Sequence, residues 1–196
     1  MAAPHRPAPT AQAGELARPP ATVDVRRRHD PRGKVVGVIR AAVPADVPVI
    51  LTLIKELAAY EREPDAVTAA EADLHAALFA EHPHLWCHVA EVDGEVAGVA
   101  VWFLNFSTWA GRHGIYLEDL YVRPEHRGTG IGLALLRTLA QTASERGYGR
   151  VEWWVLGWNT PSIDFYKRVG AIAMDEWTVF RLTGDALADL VSVPDA

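Results

Sequence analysis

The chain of 196 residues contains only one cysteine, Cys87. A single thiol excludes an internal disulfide and fits a reducing compartment, so we expect a cytoplasmic protein. Cys87 lies between Leu85 and Val89 in an alternating run, and this periodicity predicts a thiol that faces the core. We therefore expect no reactive cysteine.

Long apolar runs and metal-ligand spacings are also missing. No stretch approaches the roughly 20 apolar residues of a membrane-spanning helix, so we expect no membrane partner. None of the eight histidines stands at metal-ligand spacing from a second ligand, and His82-Pro83-His84 is typical of a turn, so we predict no metal. Hydrophobic residues still make up 49% of the chain, which suits one domain with a sizeable core.

Charge is divided unevenly along the chain. Residues 1–35 contain seven Lys and Arg against three Asp and Glu, whereas residues 36–196 contain twelve against twenty-two. An acidic domain disfavours nucleic acid and concentrates cationic amines. Residues 1–34 hold six of the 13 prolines and no aromatic residue, which predicts a disordered Pro/Ala/Arg-rich extension before a single domain over residues 35–193.

Hydrophobic periodicity predicts a mixed α/β (α+β) domain with a largely antiparallel sheet. A capping box, Thr68-x-x-Glu71, is predicted to start the second helix, and Asp93-Gly94 predicts a tight hairpin. The predicted strands are residues 35–40, 85–92, 95–106, 115–122, 150–156 and 177–182, and the predicted helices are residues 47–58, 68–80, 133–143 and 161–168.

A glycine-rich loop, Arg127-Gly128-Thr129-Gly130-Ile131-Gly132, joins a predicted strand to an apolar helix that continues at Leu133. Alternate glycines let backbone N–H groups close on phosphate oxygens at the positive end of the helix dipole. A dinucleotide fingerprint is excluded because Leu133 stands where its third glycine would be, and the Gly-Lys-Ser/Thr of a P-loop is absent. Taken alone, such a loop indicates a pyrophosphate site no more strongly than it indicates a plain turn.

Four blocks of sequence together resemble one family. They are residues 53–61, residues 116–122, the Arg-x-x-Gly-x-Gly loop and residues 158–171. Their order resembles the diamine (spermidine/spermine) N1-acetyltransferases and thialysine N-acetyltransferases of the GNAT superfamily, over residues 39–190. The resemblance implies the GNAT fold, with strands that splay at an acetyl-CoA site, and acetyl transfer to a primary amine of a small molecule. It also implies a homodimer.

Acetyl transfer from a thioester to an amine needs a base for the protonated amine and an acid for the departing thiolate. Glu118 is the predicted base: Glu118-Asp119 interrupts an apolar strand, and alternation sends one carboxylate into a cleft and the other elsewhere. Tyr166 is the predicted acid, because a phenol stays protonated at neutral pH and Ser162, four residues earlier, shares its helical face. Asn159 is positioned to cap that helix.

The resemblance assigns the remaining site residues. For acetyl-CoA it implies the backbone of Leu120, Tyr121 and Val122, the loop residues Arg127, Gly128, Thr129, Gly130, Ile131, Gly132 and Leu133, and the side chains of Asn159, Ser162 and Tyr166. For the amine it implies Tyr60, Glu61, Glu118, Glu152, Trp153 and Trp154, since carboxylates and aromatic faces suit an alkylammonium chain.

One loop departs from the polyamine pattern. Ser107-Thr108-Trp109 stands where those enzymes carry an aspartate before the tryptophan, and Arg112 and His113 follow. Loss of a carboxylate and gain of a cation make a shorter amine, such as a diamine or a thialysine-like amino acid, as well supported as a long polyamine. Two alternatives stay open: an enzyme of this fold that acts on protein N-termini or lysines, and a non-catalytic acyl-CoA sensor.

Overall fold

The computed structural model describes residues 37–192, which fall into two compact units that divide after Trp154. The first unit contains β1 (Val38–Ala41), α1 (Val47–Tyr60), α2 (Glu71–Phe79), β2 (Trp86–Val92), β3 (Glu95–Ser107), β4 (Arg112–Val122), α3 (Ile131–Glu145) and β5 (Val151–Glu152). The second unit contains α4 (Thr160–Arg168) and α5 (Asp185–Ser192). The predicted N-terminal extension lies outside the described residues.

The first unit is built on a five-stranded sheet in the order β1-β2-β3-β4-β5. Its first three pairings are antiparallel, and β5 runs parallel to β4. Asp93 and Gly94 join β2 to β3 with φ angles of 52° and 87°, as expected for the tight turn of a two-residue hairpin. The prediction of a mixed, mostly antiparallel α/β fold is confirmed.

Helices cover both faces of this sheet. On one face, Ile50 and Leu53 of α1 join Cys87, Val89 and other strand residues in the buried core. Burial raises the pKa of the Cys87 thiol, so the predicted core position of this cysteine is confirmed. On the other face, α3 packs against β4, β3 and β2.

Two ion pairs fix α1, the helix whose end carries predicted amine-site residues. Arg40 of β1 binds Asp46, immediately before α1, through two N–H···O bonds of 2.6 and 2.9 Å. Arg123, which follows β4, binds Glu56 of α1 at 3.2 Å. Both pairs are half-buried or better, so they hold α1 in a defined position along the sheet.

The predicted start of α2 is wrong. The helix begins at Glu71, and its first turn is closed by Asp73, whose carboxylate accepts a 2.8 Å hydrogen bond from the Ala70 N–H. A carboxylate three residues into the helix satisfies that N–H, so the chain uses Asp73 where the Thr68-x-x-Glu71 pattern predicted a capping box.

Three strand predictions also differ from the structure. The first strand is Val38–Ala41, and positions 35 and 36 of the predicted strand lie outside the described residues. The strand predicted over residues 150–156 is limited to β5, and residues 177–182 form no strand, with Trp177 and Phe180 exposed. Alternation gives a strand only where a neighbouring strand pairs with it, and within residues 37–192 no strand pairs with residues 177–182.

Candidate active site

A β-bulge lies at the centre of β4. Leu117 pairs with Trp102 and Asp119 pairs with Val101, which are adjacent residues of β3, so Glu118 has no partner across the pair. The extra residue breaks the alternation on which we based opposite faces for Glu118 and Asp119, so that argument fails at this position. Glu118 is exposed, and Asp119 lies on the same sheet face as Val101.

Next to the bulge, β4 loses its neighbour on one side. β4 and β5 pair only at Ile115 with Val151 and at Tyr116 with Glu152. β4 then continues to Val122, and in the described part of the chain no strand pairs with residues 117–122 on that side. The backbone of residues 120–122 therefore runs along an open strand edge, which can take up an extended ligand.

The glycine loop follows this open edge directly. β4 ends at Val122, a 3-10 turn covers Pro124–His126, and the Thr129 hydroxyl donates a 2.6 Å hydrogen bond to the His126 carbonyl. Gly130 then caps α3 with a φ of 96°, a left-handed backbone that favours glycine. Ile131, Gly132 and Leu133 form the first turn of α3, whose amides have no acceptor within the helix.

Arg127, at the head of this loop, folds back against Tyr60, a residue predicted for the amine, and Tyr121, a residue predicted for acetyl-CoA. Its Nε–H donates a 2.8 Å hydrogen bond to the Val122 carbonyl. Its guanidinium carbon lies 4.9 Å from the centre of the Tyr60 ring and 5.4 Å from that of Tyr121. This cation–π contact joins the loop, the open strand edge and the end of α1.

Three carboxylates lie together where β4 bulges. Burial raises the pKa of Asp119 to about 6, and the negative charges of Glu118 and Glu61 add to the effect. Burial also raises the pKa of Glu61. Glu61 and Glu118 are predicted site residues, whereas Asp119 is not, because alternation alone cannot reveal a bulge. This cluster concentrates negative charge and favours a bound cation.

Glu152, the third carboxylate predicted for the amine, already has partners. The Arg150 Nε lies 3.0 Å from one of its carboxylate oxygens, and the Asn105 side-chain amide donates a hydrogen bond to the other. Arg150 and Asn105 are not among the predicted site residues. Arg150 could have been found by period-2 spacing, because residues two apart on a strand share a face.

Aromatic rings line the same part of the sheet. The Tyr116 ring lies 4.9 Å from Phe103, centre to centre, and 5.8 Å edge-on from Trp154. Trp154, a predicted amine residue, is 59% exposed, and Trp153 beside it is half-buried. Together the rings form an apolar surface next to the carboxylates, and Phe103 and Tyr116 are additions to the predicted set.

The second unit carries the predicted acid on α4. The Asn159 side chain accepts a 3.4 Å hydrogen bond from the Ser162 N–H at the start of this helix, so the predicted cap is confirmed. Tyr166 follows Ser162 by four residues, is half-buried, and packs its ring 5.3 Å from that of Phe165. The predicted helix is therefore present.

Residues 37–192 contain neither a candidate membrane span nor a candidate metal cluster. None of the helices in residues 37–192 is long and apolar enough to cross a bilayer. Across the same residues, no three His, Cys, Asp or Glu side chains are grouped so that they could hold a metal ion.

Comparison with known proteins shows extensive similarity. Residues 49–171 match the family model described as the acetyltransferase (GNAT) family. A thialysine N-epsilon-acetyltransferase from Bos taurus is 41% identical over 164 residues, covering 78% of this chain and 96% of the relative. L-ornithine N5-acetyltransferase NATA1 from Arabidopsis thaliana is 32% identical over 194 residues, covering 76% of this chain and 85% of the relative.

The fold has been seen in solved structures as well. An integron cassette protein from the mobile metagenome of V. cholerae superposes with a TM-score of 0.68 at 28% identity, covering 81% of this chain and 99% of that one. The family resemblance drawn from the four sequence blocks is confirmed.

The raised pKa of Asp119 predicts a pH-dependent gain in stability on its removal. Above pH 6 the folded protein bears an ionised carboxylate that the unfolded chain, with the ordinary value of 3.8, accommodates more easily. Asp119→Asn should therefore be about 2–3 kcal/mol more stable than the native chain at pH 8, and the gain should vanish below about pH 4. Urea unfolding of Asp119→Asn and the native chain, at pH 8 and below about pH 4, measures this difference in stability.

The exposed Asp175 supplies the control, because Asp175→Asn makes the same change where solvent surrounds the carboxylate. This control should leave the free energy of unfolding within about 0.5 kcal/mol at either pH. Equal stability of Asp119→Asn and the native chain at pH 8 would contradict the raised pKa of this carboxylate.

Proposed function

Because this chain belongs to the GNAT family of acetyltransferases, we propose that it transfers the acetyl group of acetyl-CoA to a primary amine of a small molecule. The observation that carries this proposal is the open edge of β4, which leads directly into a glycine loop and the start of α3. The carboxylates Glu61, Glu118 and Asp119 lie together where that strand bulges.

For acetyl-CoA, the residues present fit the ligand. The backbone of residues 120–122 would pair with the pantetheine arm as an added strand pairs with a sheet edge. The amides of residues 128–133, at the positive end of α3, would hold the pyrophosphate. Asn159, Ser162 and Tyr166 would bound the rest of the arm, as the family resemblance implies.

For the chemistry, we assign one residue to each proton transfer. Glu118 would take the proton from the ammonium, so that the amine attacks the thioester carbonyl carbon. A backbone N–H of the β4 edge would stabilise the developing oxyanion, and Tyr166 would protonate the sulfur as the C–S bond breaks. Attack is direct, because the thiol of Cys87 is buried with a raised pKa and cannot serve as a nucleophile.

For the amine, Tyr60, Glu61, Trp153 and Trp154 would line the site beside Glu118. The two relatives described above are named for thialysine and L-ornithine, which are amino acids with a terminal side-chain amine. The carboxylate of Glu152 is compensated by Arg150, so it attracts the second ammonium of a long polycation less strongly. A short amine is the substrate we favour.

We further propose that residues 35–193 form the catalytic domain and that it acts as a homodimer in the cytoplasm, without nucleic-acid or membrane partners. Exposed apolar side chains in the second unit, namely Ile172, Met174, Trp177 and Phe180, support an interface between copies. Sedimentation analysis of the full chain measures its oligomeric state. A monomer at micromolar concentration would contradict the proposed homodimer.

A CoA-release screen tests the function. Thialysine, L-ornithine, putrescine, spermidine and peptides with free N-termini or lysines are compared at equal concentration. We expect turnover with short amines to exceed that with peptides. Faster turnover with peptides would favour a protein acetyltransferase, and binding of acetyl-CoA without any acetyl transfer would favour a sensor.

Crowding of the glycine loop should weaken acetyl-CoA binding. Gly130→Ala and Gly147→Ala form a matched pair, because both glycines have positive φ (96° and 67°), both have no atom within 4 Å of an added Cβ, and they lie at opposite ends of α3. Each should lower stability by about 1–2 kcal/mol through backbone strain. Only Gly130→Ala should raise the Kd of acetyl-CoA, by about tenfold or more in calorimetry. Equal affinity in both variants would remove the loop from the site.

Loss of the proposed base should slow the reaction with every amine. Glu118→Gln keeps the shape of the side chain and should lower kcat/KM by about 10²- to 10⁴-fold, while flattening the acidic limb of its pH profile. Glu125 is exposed, and Glu125→Gln serves as the control. It should change neither kcat/KM nor the pH profile of kcat/KM. An unchanged pH profile in Glu118→Gln would assign the base to another residue.

Loss of the proposed acid should lower the turnover number, kcat. Tyr166→Phe keeps the ring and should lower kcat by about 10- to 1000-fold with little change in the Kd of acetyl-CoA. Tyr148→Phe removes a hydroxyl that has no hydrogen-bond partner among the described residues and should leave kcat unchanged. Native turnover in Tyr166→Phe under conditions where chemistry limits the rate would disprove the assignment.

A further inference from the structure

We propose that Arg150 is a specificity-determining residue, and that with Glu152 it forms a subsite for the zwitterionic end of an α-amino acid whose side-chain amine is acetylated. This inference rests on the proposed function and deepens it, since it separates amino acids from diamines and polyamines. It concerns only residues of the first unit.

The Arg150–Glu152 pair offers both charges to a ligand at once. The ion pair of 3.0 Å uses the Arg150 Nε, and the two side chains remain 43% and 41% exposed. A guanidinium has five N–H donors in a planar fork, so the rest of the fork can bind a carboxylate while Glu152 accepts from an α-ammonium. A second ammonium of a diamine would meet a carboxylate whose charge Arg150 already balances.

The pair is also fixed in place. Asn105 donates to the Glu152 carboxylate, and its own backbone carbonyl lies 3.1 Å from the His113 Nδ1. Gly114 makes this arrangement possible, because a Cβ there would lie 2.6 Å from the Asn105 amide oxygen and 2.8 Å from the Arg150 Cγ. Glycine therefore lets both side chains lie flat on the strand, which preorganises the subsite before a ligand binds.

The spacing between this subsite and the proposed base matches an amino acid. Glu152 pairs with Tyr116 on the neighbouring strand, about 5 Å away, and Glu118 lies two residues farther along β4, so the backbones at Glu152 and Glu118 are about 8 Å apart. A side chain of four or five bonds extends about 5–6 Å from its α-carbon to its terminal nitrogen. An α-amino acid bound at Arg150 and Glu152 would thus bring its terminal amine to Glu118, with the rings of Tyr116 and Trp154 along its methylene groups.

Two matched substrate pairs test this subsite. L-Ornithine and putrescine differ only by a carboxylate, as do thialysine and the sulfide diamine that its decarboxylation would give. The native enzyme should show a kcat/KM at least about tenfold higher for each amino acid than for its diamine. Arg150→Gln should lower kcat/KM for the amino acids by about 10- to 100-fold, mainly through KM, and leave the diamines within about twofold or improve them.

Two further variants keep the result interpretable. Arg150→Lys retains the charge but not the fork and should recover part of the preference. The exposed Arg137→Gln on α3 removes the same charge elsewhere and should leave both substrates unchanged. The Kd of acetyl-CoA should be native in all three variants, and if Arg150→Gln does not fold, Arg150→Lys alone must shift the amino-acid-to-diamine ratio.

The outcomes separate the two proposals. A native enzyme that prefers diamines, or an Arg150→Gln variant that loses activity equally with both members of a pair, would overturn the zwitterion subsite while leaving small-amine acetylation intact. Absence of acetylation with every small amine would instead overturn the proposed function.

Discussion

The loss of β-pairing along one edge of β4 is the constraint on which the rest of this site depends. At Ile115 and Tyr116, β4 has paired strands on both sides, and beyond Tyr116 only β3 continues. The bulge at Glu118 falls at this transition, where an extra residue bends the strand and increases its twist. Backbone groups that a closed sheet would consume are thereby left for a ligand, and the strand delivers the chain to the glycine loop.

Local patterns predicted the parts of this structure that depend on near neighbours along the chain. The turn at Asp93-Gly94, the glycine loop before α3 and the Asn159 cap follow from short-range geometry, and the structure contains all three. Local patterns could not predict the bulge, because it exists only relative to the register of β3. The same limit explains residues 177–182, whose alternation lacks a paired strand in the described chain.

Composition predicted an acidic domain, but it could not predict that the carboxylates of this domain lie in different chemical environments. Asp119 is half-buried with a raised pKa, Glu118 is exposed at the bulge, and Glu152 is compensated by Arg150. A net charge counts these three carboxylates as equals. Their environments separate a group that resists ionisation, a group open to solvent and a group already paired, so the substrate preference depends on placement more than on number.

The bulge has an evolutionary consequence, because it is one residue long. Removing Glu118 would leave Leu117 opposite Trp102 and Asp119 opposite Val101, so neither half of the strand would change the face it presents to the core. An insertion or deletion of a single codon could therefore create or remove the bulge, with the carboxylate that it carries, without repacking the interior. A binding site of this kind can arise in, or vanish from, a stable scaffold in one genetic step.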